Sequence, residues 1–320
     1  MLATTRAAFL LAASIVAVTA PAMAQEINIY SSRHYDTDDG LYRKFTEATG
    51  IKVNRIEGEA DELMARIKAE GANSPADILL TVDAGRVWKA RTEDLFQAVP
   101  STTLSERIPA HLRDPDGYWF GLSERARLIF YAKDRVSEPP QTYEALADPA
   151  YKGKICIRSA TNIYNLSMMS AIIARAPEDG DTEQLKGLVS GACDIAVVNT
   201  YYFSRALSET VEGLTGSTDG IGWVFPNQET TGTHVNVAAA GGVKTAPNKD
   251  NAIKFLEYLT TSEAQSYFAD QNNEFPVVPG VPVGKVAAAL SDFRRDTLNL
   301  NALGENQAKA QEIFNAVGFP

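Results

Sequence analysis

The stretch Glu26-Ile27-Asn28-Ile29-Tyr30-Ser31-Ser32-Arg33-His34-Tyr35 decides how the rest of the chain is read. Its first five residues alternate as a short strand, and polar and aromatic residues then take over abruptly. Downstream, Asp39 to Thr49 carries Leu41, Tyr42 and Phe45 at helical spacing, with Gly50 as a stop signal. Ile51 to Ile56 alternates as a second strand, and Ala60 to Glu70 places Leu63, Met64 and Ile67 on one helical face. Ala76 to Thr81 reads as a buried third strand. This β-α-β-α-β order predicts a parallel sheet with helices on both faces, a design that gathers ligands beyond the carboxyl ends of its strands.

Upstream of the first strand, Arg6 is the only charge before Glu26, and Ala7 to Val18 is almost wholly apolar. Ala22-Met23-Ala24 then supplies a small-x-small pattern. The segment reads as a secretory signal cut after Ala24. It is short for a membrane span, which needs ~20 apolar residues. Export makes the two cysteines, Cys156 and Cys193, a disulfide candidate, with two buried thiols as the alternative.

Further on, the pattern predicts a second unit. Leu128 to Tyr131 opens it, and Ser137 to Tyr143 is a loop leading into a helix. Strands follow at Lys154 to Ile157 and Cys193 to Val198, and helices at Asn165 to Ala174 and Thr182 to Ser190. Gly222 to Phe225 and His234 to Ala238 return as strands, and Asn251 to Leu259 and Ser262 to Asp270 form an amphipathic helix pair. The 320 residues suffice for two α/β lobes joined by crossing strands. A net charge of −10 without a Lys/Arg run argues against nucleic acid and favours a cationic ligand at long range.

Three segments carry candidate chemistry, each just past a strand. They are Tyr30 to Tyr35, Arg158-Ser159-Ala160-Thr161-Asn162-Ile163-Tyr164-Asn165, and Asn199-Thr200-Tyr201-Tyr202. Among 12 tyrosines a single one in such a place carries little weight, but three loops of this kind carry more. Phenolate is a hard, anionic oxygen donor suited to a small trivalent cation such as ferric iron. Binding must expel the phenol proton, so it weakens as pH falls. The chain has no His-Glu-x-x-His or Gly-x-Ser-x-Gly motif. Its three histidines, His34, His111 and His234, lie far apart, so a zinc hydrolase or other enzyme is not expected.

These segments resemble the ferric-ion-binding periplasmic proteins of ABC iron importers, in their tyrosine-rich branch. Ser123-Glu124-Arg125-Ala126-Arg127 and Asn273-Glu274-Phe275-Pro276-Val277 add to the likeness, which covers nearly all of the mature chain. The resemblance implies the two-lobe type II solute-binding fold, each lobe a mostly parallel sheet flanked by helices, closing at a hinge on Fe(III). Lobe one would take residues 25–124 and 229–275, and lobe two 125–228 and 276–320. Tyr35 would be the ligand from lobe one, and Tyr164, Tyr201 and Tyr202 those from lobe two. His34 would be a fifth ligand or a close neighbour. Arg125 would pair with a small synergistic anion or favour the phenolates. The implied partner is an ABC permease of the inner membrane, met by a monomer. The alternative is a sister binding protein for thiamine, a polyamine or an oxyanion. One departure stands out: Arg175 to Gly180 is shorter than the family pattern, which has a further helix there, and its loss would expose apolar surface.

Overall fold

The computed structural model describes residues 25–33, 35–172, 181–208 and 211–316. The leader, His34 and the short stretch from Arg175 to Gly180 lie outside the described residues. The first unit runs β1 (Glu26–Ser31), α1 (Asp38–Thr49), β2 (Lys52–Glu57), α2 (Ala60–Glu70), β3 (Ile78–Thr81), α3 (Ala84–Thr92) and α4 (Thr102–Arg107). The long strand β4 (Phe120–Ala132) leads into the second unit, with β5 (Ile155–Cys156), α5 (Ile163–Ile172), α6 (Asp181–Ser190), β6 (Ile195–Asn199), α7 (Thr200–Ser208) and β7 (Ile221–Val224). The chain returns along β8 (Val235–Gly242) and continues through α8 (Lys249–Leu259), α9 (Ser262–Gln271), β9 (Phe275–Pro276), α10 (Asn301–Glu305) and α11 (Gln307–Ala316).

The sheet order is β2-β1-β3-β8-β4-β6-β5, with β7 and β9 also paired to β4. Parallel pairing is confined to β2-β1-β3 and β5-β6. The crossing strands β4 and β8 run antiparallel to each other and to their neighbours β3, β6, β7 and β9. Strand β4 has 13 residues because it serves both units: its first half pairs with β8 and its second half with β6 and β7.

Packing follows the two periodicities in the sequence. Leu41, Tyr42 and Phe45 of α1 are buried, and Gly50 ends that helix at φ 71°, a left-handed position where glycine carries no Cβ penalty. The first core gathers Ile27, Ile29, Phe45, Leu79, Trp119 and Phe255. In the second unit the strands alternate sides. Leu128, Phe130, Ala196 and Val198 enter one core, whereas Ile129, Ile195 and Val197 enter another on the opposite face. The C-terminal segment spans the halves, with Leu300 and Leu303 in the first core and Ala310 and Phe314 in the third.

Cys156 and Cys193 form a disulfide, with Cα atoms 5.8 Å apart. The parallel pairing of β5 with β6 brings them together. Helix α6 crosses directly over the bridge at Gly187, where a Cβ would lie 2.9 Å from both sulfurs. The helix expected after Tyr143 is instead two short 3-10 turns, Glu144–Ala147 and Pro149–Tyr151. Pro149 removes an N–H donor there and holds Asp148 in extended backbone. Helices α3, α4, α10 and α11 were not expected from the sequence, nor was α7, whose first residues Thr200, Tyr201 and Tyr202 were read as a loop.

Candidate metal centre

Each candidate tyrosine sits where a strand gives way to a helix. Tyr35 follows β1, and its carbonyl accepts from Asp38 N–H at 3.0 Å as α1 begins. Tyr164 is the second residue of α5, and Asn162 Oδ1 accepts from its N–H at 3.0 Å as an N-terminal cap. Tyr201 and Tyr202 are the second and third residues of α7, which starts directly after β6 with no loop between. Strands β5 and β6 are parallel neighbours, so both helix starts emerge at the same edge of the sheet.

The described tyrosines converge. The rings of Tyr35 and Tyr201 meet edge to face at 6.0 Å between centroids, and those of Tyr201 and Tyr202 lie 4.1 Å apart. The Arg125 guanidinium lies 5.6 Å from the centre of the Tyr164 ring, and that of Arg158 lies 5.3 Å from it on the same residue. Tyr35, Tyr164 and Tyr201 are buried, and Tyr202 is partly so. A cavity of about 240 Å³ opens beside Tyr164 and Tyr202, flanked by Arg158 and Arg86.

Arg125 is the common neighbour. Burial opposes its charge, yet Tyr164, Glu274, Tyr35 and Tyr201 together raise its pKa. It is 1% exposed, and among the described residues its guanidinium nitrogens make no hydrogen bond. The nearest carboxylate oxygen, Glu274 Oε1, stands 3.9 Å away. A buried guanidinium left short of acceptors is suited to negative charge arriving at the site, whether phenolate or a small anion.

Sequence reasoning missed the support behind Tyr35. Arg33 is buried with its guanidinium 4.7 Å from the Tyr35 ring centre. It grips Asp38 through Nε at 2.7 Å and Nη2 at 3.1 Å, and reaches Glu274 through Nη2 at 3.0 Å. Asn272 donates to Asp38 Oδ1 at 3.0 Å. Two buried arginines thus share two buried carboxylates. Burial pushes the Tyr35 phenol well above its usual pKa; Glu274 and Tyr164 add to the rise, and Arg33 and Arg125 oppose it. Tyr35 is therefore a neutral phenol until something displaces its proton. The signal for Arg33 lay in the quoted opening stretch, but its partners are 5 and 241 residues away in the chain.

His234 lies in the crossover just before β8, and its backbone N–H donates to Tyr143 Oη at 3.2 Å. Burial, together with Arg127 and Arg125, drops its pKa to about 3, so the ring is neutral. Among the described residues no group of three His, Cys, Asp or Glu is placed to hold a metal.

Residues 30–266 match the family model of the bacterial extracellular solute-binding proteins. The chain belongs to that family. This solute-binding protein is 47% identical to iron uptake protein A1 of Synechocystis sp., an alignment covering 93% of this chain and 89% of the relative. It is 28% identical to the major ferric iron-binding protein of Neisseria meningitidis, over 87% of this chain and 90% of that one. Among solved structures, the Trichodesmium protein in complex with iron and citrate superposes with a TM-score of 0.87 at 46% identity, covering 92% of this chain and all of that one. The family and this likeness place the solute-binding protein in the two-lobe type II fold.

Proposed function

We propose that this protein captures ferric iron in the periplasm and delivers it to an ABC permease in the inner membrane. The convergence of Tyr35 with Tyr164, Tyr201 and Tyr202 around buried Arg125 carries the reading. In it, Tyr35, Tyr164, Tyr201 and Tyr202 bind the ion as phenolates. The trivalent charge supplies the free energy that strips protons from buried phenols. Four phenolates exceed the ferric charge by one, and the guanidinium groups of Arg125 and Arg158 beside the Tyr164 ring lower the cost of that excess. His34, outside the described residues, is kept in this reading as a further ligand or close neighbour on the strength of its place next to Tyr35 in the sequence. The cavity beside Tyr164 and Tyr202 gives a small anion such as a carboxylate access to the remaining coordination positions. The names of the iron-uptake relatives and the iron–citrate complex of the Trichodesmium protein support both the cargo and the anion.

The lobes of this reading are residues 25–124 with 229–275, and 125–228 with 276–320. They swing about β4 and β8 in the hinge manner of solute-binding proteins. The leader directs export and is cut after Ala24, and the mature monomer presents its closed form to the permease. Titration with ferric ion, followed by visible absorbance, tests the cargo. The loaded protein shows a phenolate-to-iron charge-transfer band. Tyr201→Phe loses most of that band and more than the roughly 10–100-fold in affinity that an outer partner of a metal ligand costs. A colourless protein loaded one-to-one with iron, or a Tyr201→Phe variant with band and affinity unchanged, would end the assignment.

A further inference from the structure

We infer that Asp83 and Ser167 form the latch that holds the two halves shut: a buried carboxylate at the start of α3 gripped by a hydroxyl from α5, the helix that carries Tyr164. Ser167 Oγ donates to Asp83 Oδ2 at 2.7 Å, both residues being fully buried. Asp83 follows β3 in the first unit, whereas Ser167 lies between Leu166 and Met168, which belong to the third core. The bond therefore joins α3 to a helix whose Leu166, Met168 and Met169 belong to the third core, while Ala171 at the far end of that helix touches the first core.

The rest of the carboxylate is fixed to the stationary side. Oδ1 caps α3 by accepting from Gly85 N–H at 2.7 Å, and Oδ2 also accepts from Asn236 Nδ2 at 2.6 Å. Asn236 belongs to crossing strand β8, and its Oδ1 accepts from Ala84 N–H at 3.2 Å and Val237 N–H at 2.8 Å. These four contacts stay within α3 and β8. Among the described residues, the Ser167 bond alone ties this carboxylate to α5, so it is the hydrogen bond of the carboxylate that must break when α5 withdraws. Ser167 follows Tyr164 by three residues, so the two share one stripe of the helix. The latch thus sets where a ligand tyrosine stands relative to the first unit. Hydrogen bonds to a charged group are the stronger class, and a buried one shielded from water holds best while the cleft is closed.

The exchange arm of the test rests on the ferric reading, and the scattering arm does not. In Ser167→Ala every phenol and the α3 cap remain. The charge-transfer band keeps its wavelength and intensity, while release of ferric ion to a competing chelator becomes about tenfold faster. In iron-free protein, small-angle scattering shows a larger mean radius of gyration, as the open form gains population. Ser170→Ala is the control: its hydroxyl bonds Leu166 O at 2.6 Å within the same helix, and removing it leaves release rate and radius at wild-type values. Wild-type release and radius in Ser167→Ala, or equal changes in both variants, would overturn the latch. A wild-type protein that never develops the ferric band defeats the iron reading, and the scattering comparison still decides the latch.

Discussion

The two walls of the tyrosine cleft are built by different physics. On the first wall, Tyr35 is held by side-chain electrostatics: Arg33, Asp38, Glu274 and Asn272 form a dry, charged frame behind one ring. On the second wall, Tyr164, Tyr201 and Tyr202 are held by backbone geometry, as the opening residues of helices that leave adjacent parallel strands. A disulfide pins those strands near their bases. The contrast teaches that a set of tyrosines can be positioned either by a costly buried network of charges or mainly by the local secondary structure that carries them. The first route fails abruptly when a member is removed, because charges are left unpaired. The second fails gradually, since each cap or crosslink contributes separately.

The largest expected effect is on the charged wall. Arg33→Met leaves Asp38 and Glu274 buried without their shared cation, and stability in denaturant titration falls by about 3–5 kcal/mol. A midpoint within experimental scatter of wild type would show that the frame is not a paired network. Next comes the disulfide. Replacing both Cys156 and Cys193 by serine frees a loop with a sequence separation of 37, which lowers stability by about 3–4 kcal/mol by the chain-entropy argument. If the second wall is built as described, that variant still gives the wild-type charge-transfer band once folded; a shifted band would mean the bridge shapes the site directly. The smallest effect is at a cap. Asn162→Ala removes the acceptor for the Tyr164 N–H and costs about 1 kcal/mol, read by thermal or chemical unfolding. A loss as large as that of Arg33→Met would erase the distinction between the walls.

Much of the second wall was legible in the chain. Cys193 to Val198 reads as a buried strand, the Tyr201-Tyr202 pair follows at once, and the helix at Asp181–Ser190 falls within a residue of its expected start. Local periodicity suffices there because the tyrosines are placed by the elements they belong to. The first wall was less legible. Arg33 looked like an ordinary polar loop residue, because nothing local tells that its partners include Glu274 far along the chain. Helix α3 was missed for a different reason: its apolar spacing is weak, and the cap that starts it, Asp83 accepting from Gly85 N–H, is a signal that any aspartate in a loop can give.

The sequence by itself determined much of the alternation of strands and helices, the position of the tyrosines just past strands, and the pairing chemistry open to two cysteines, since these follow from side-chain periodicity and residue type; that Tyr164, Tyr201 and Tyr202 open helices rather than sit on loops came only from the structure. Only the tertiary structure decided that Arg125 stands in the middle with few acceptors of its own, and that Arg33 and Asp83 are buried charges. Those facts depend on which distant residues exclude water from them, and desolvation belongs to the folded arrangement rather than to any stretch of chain.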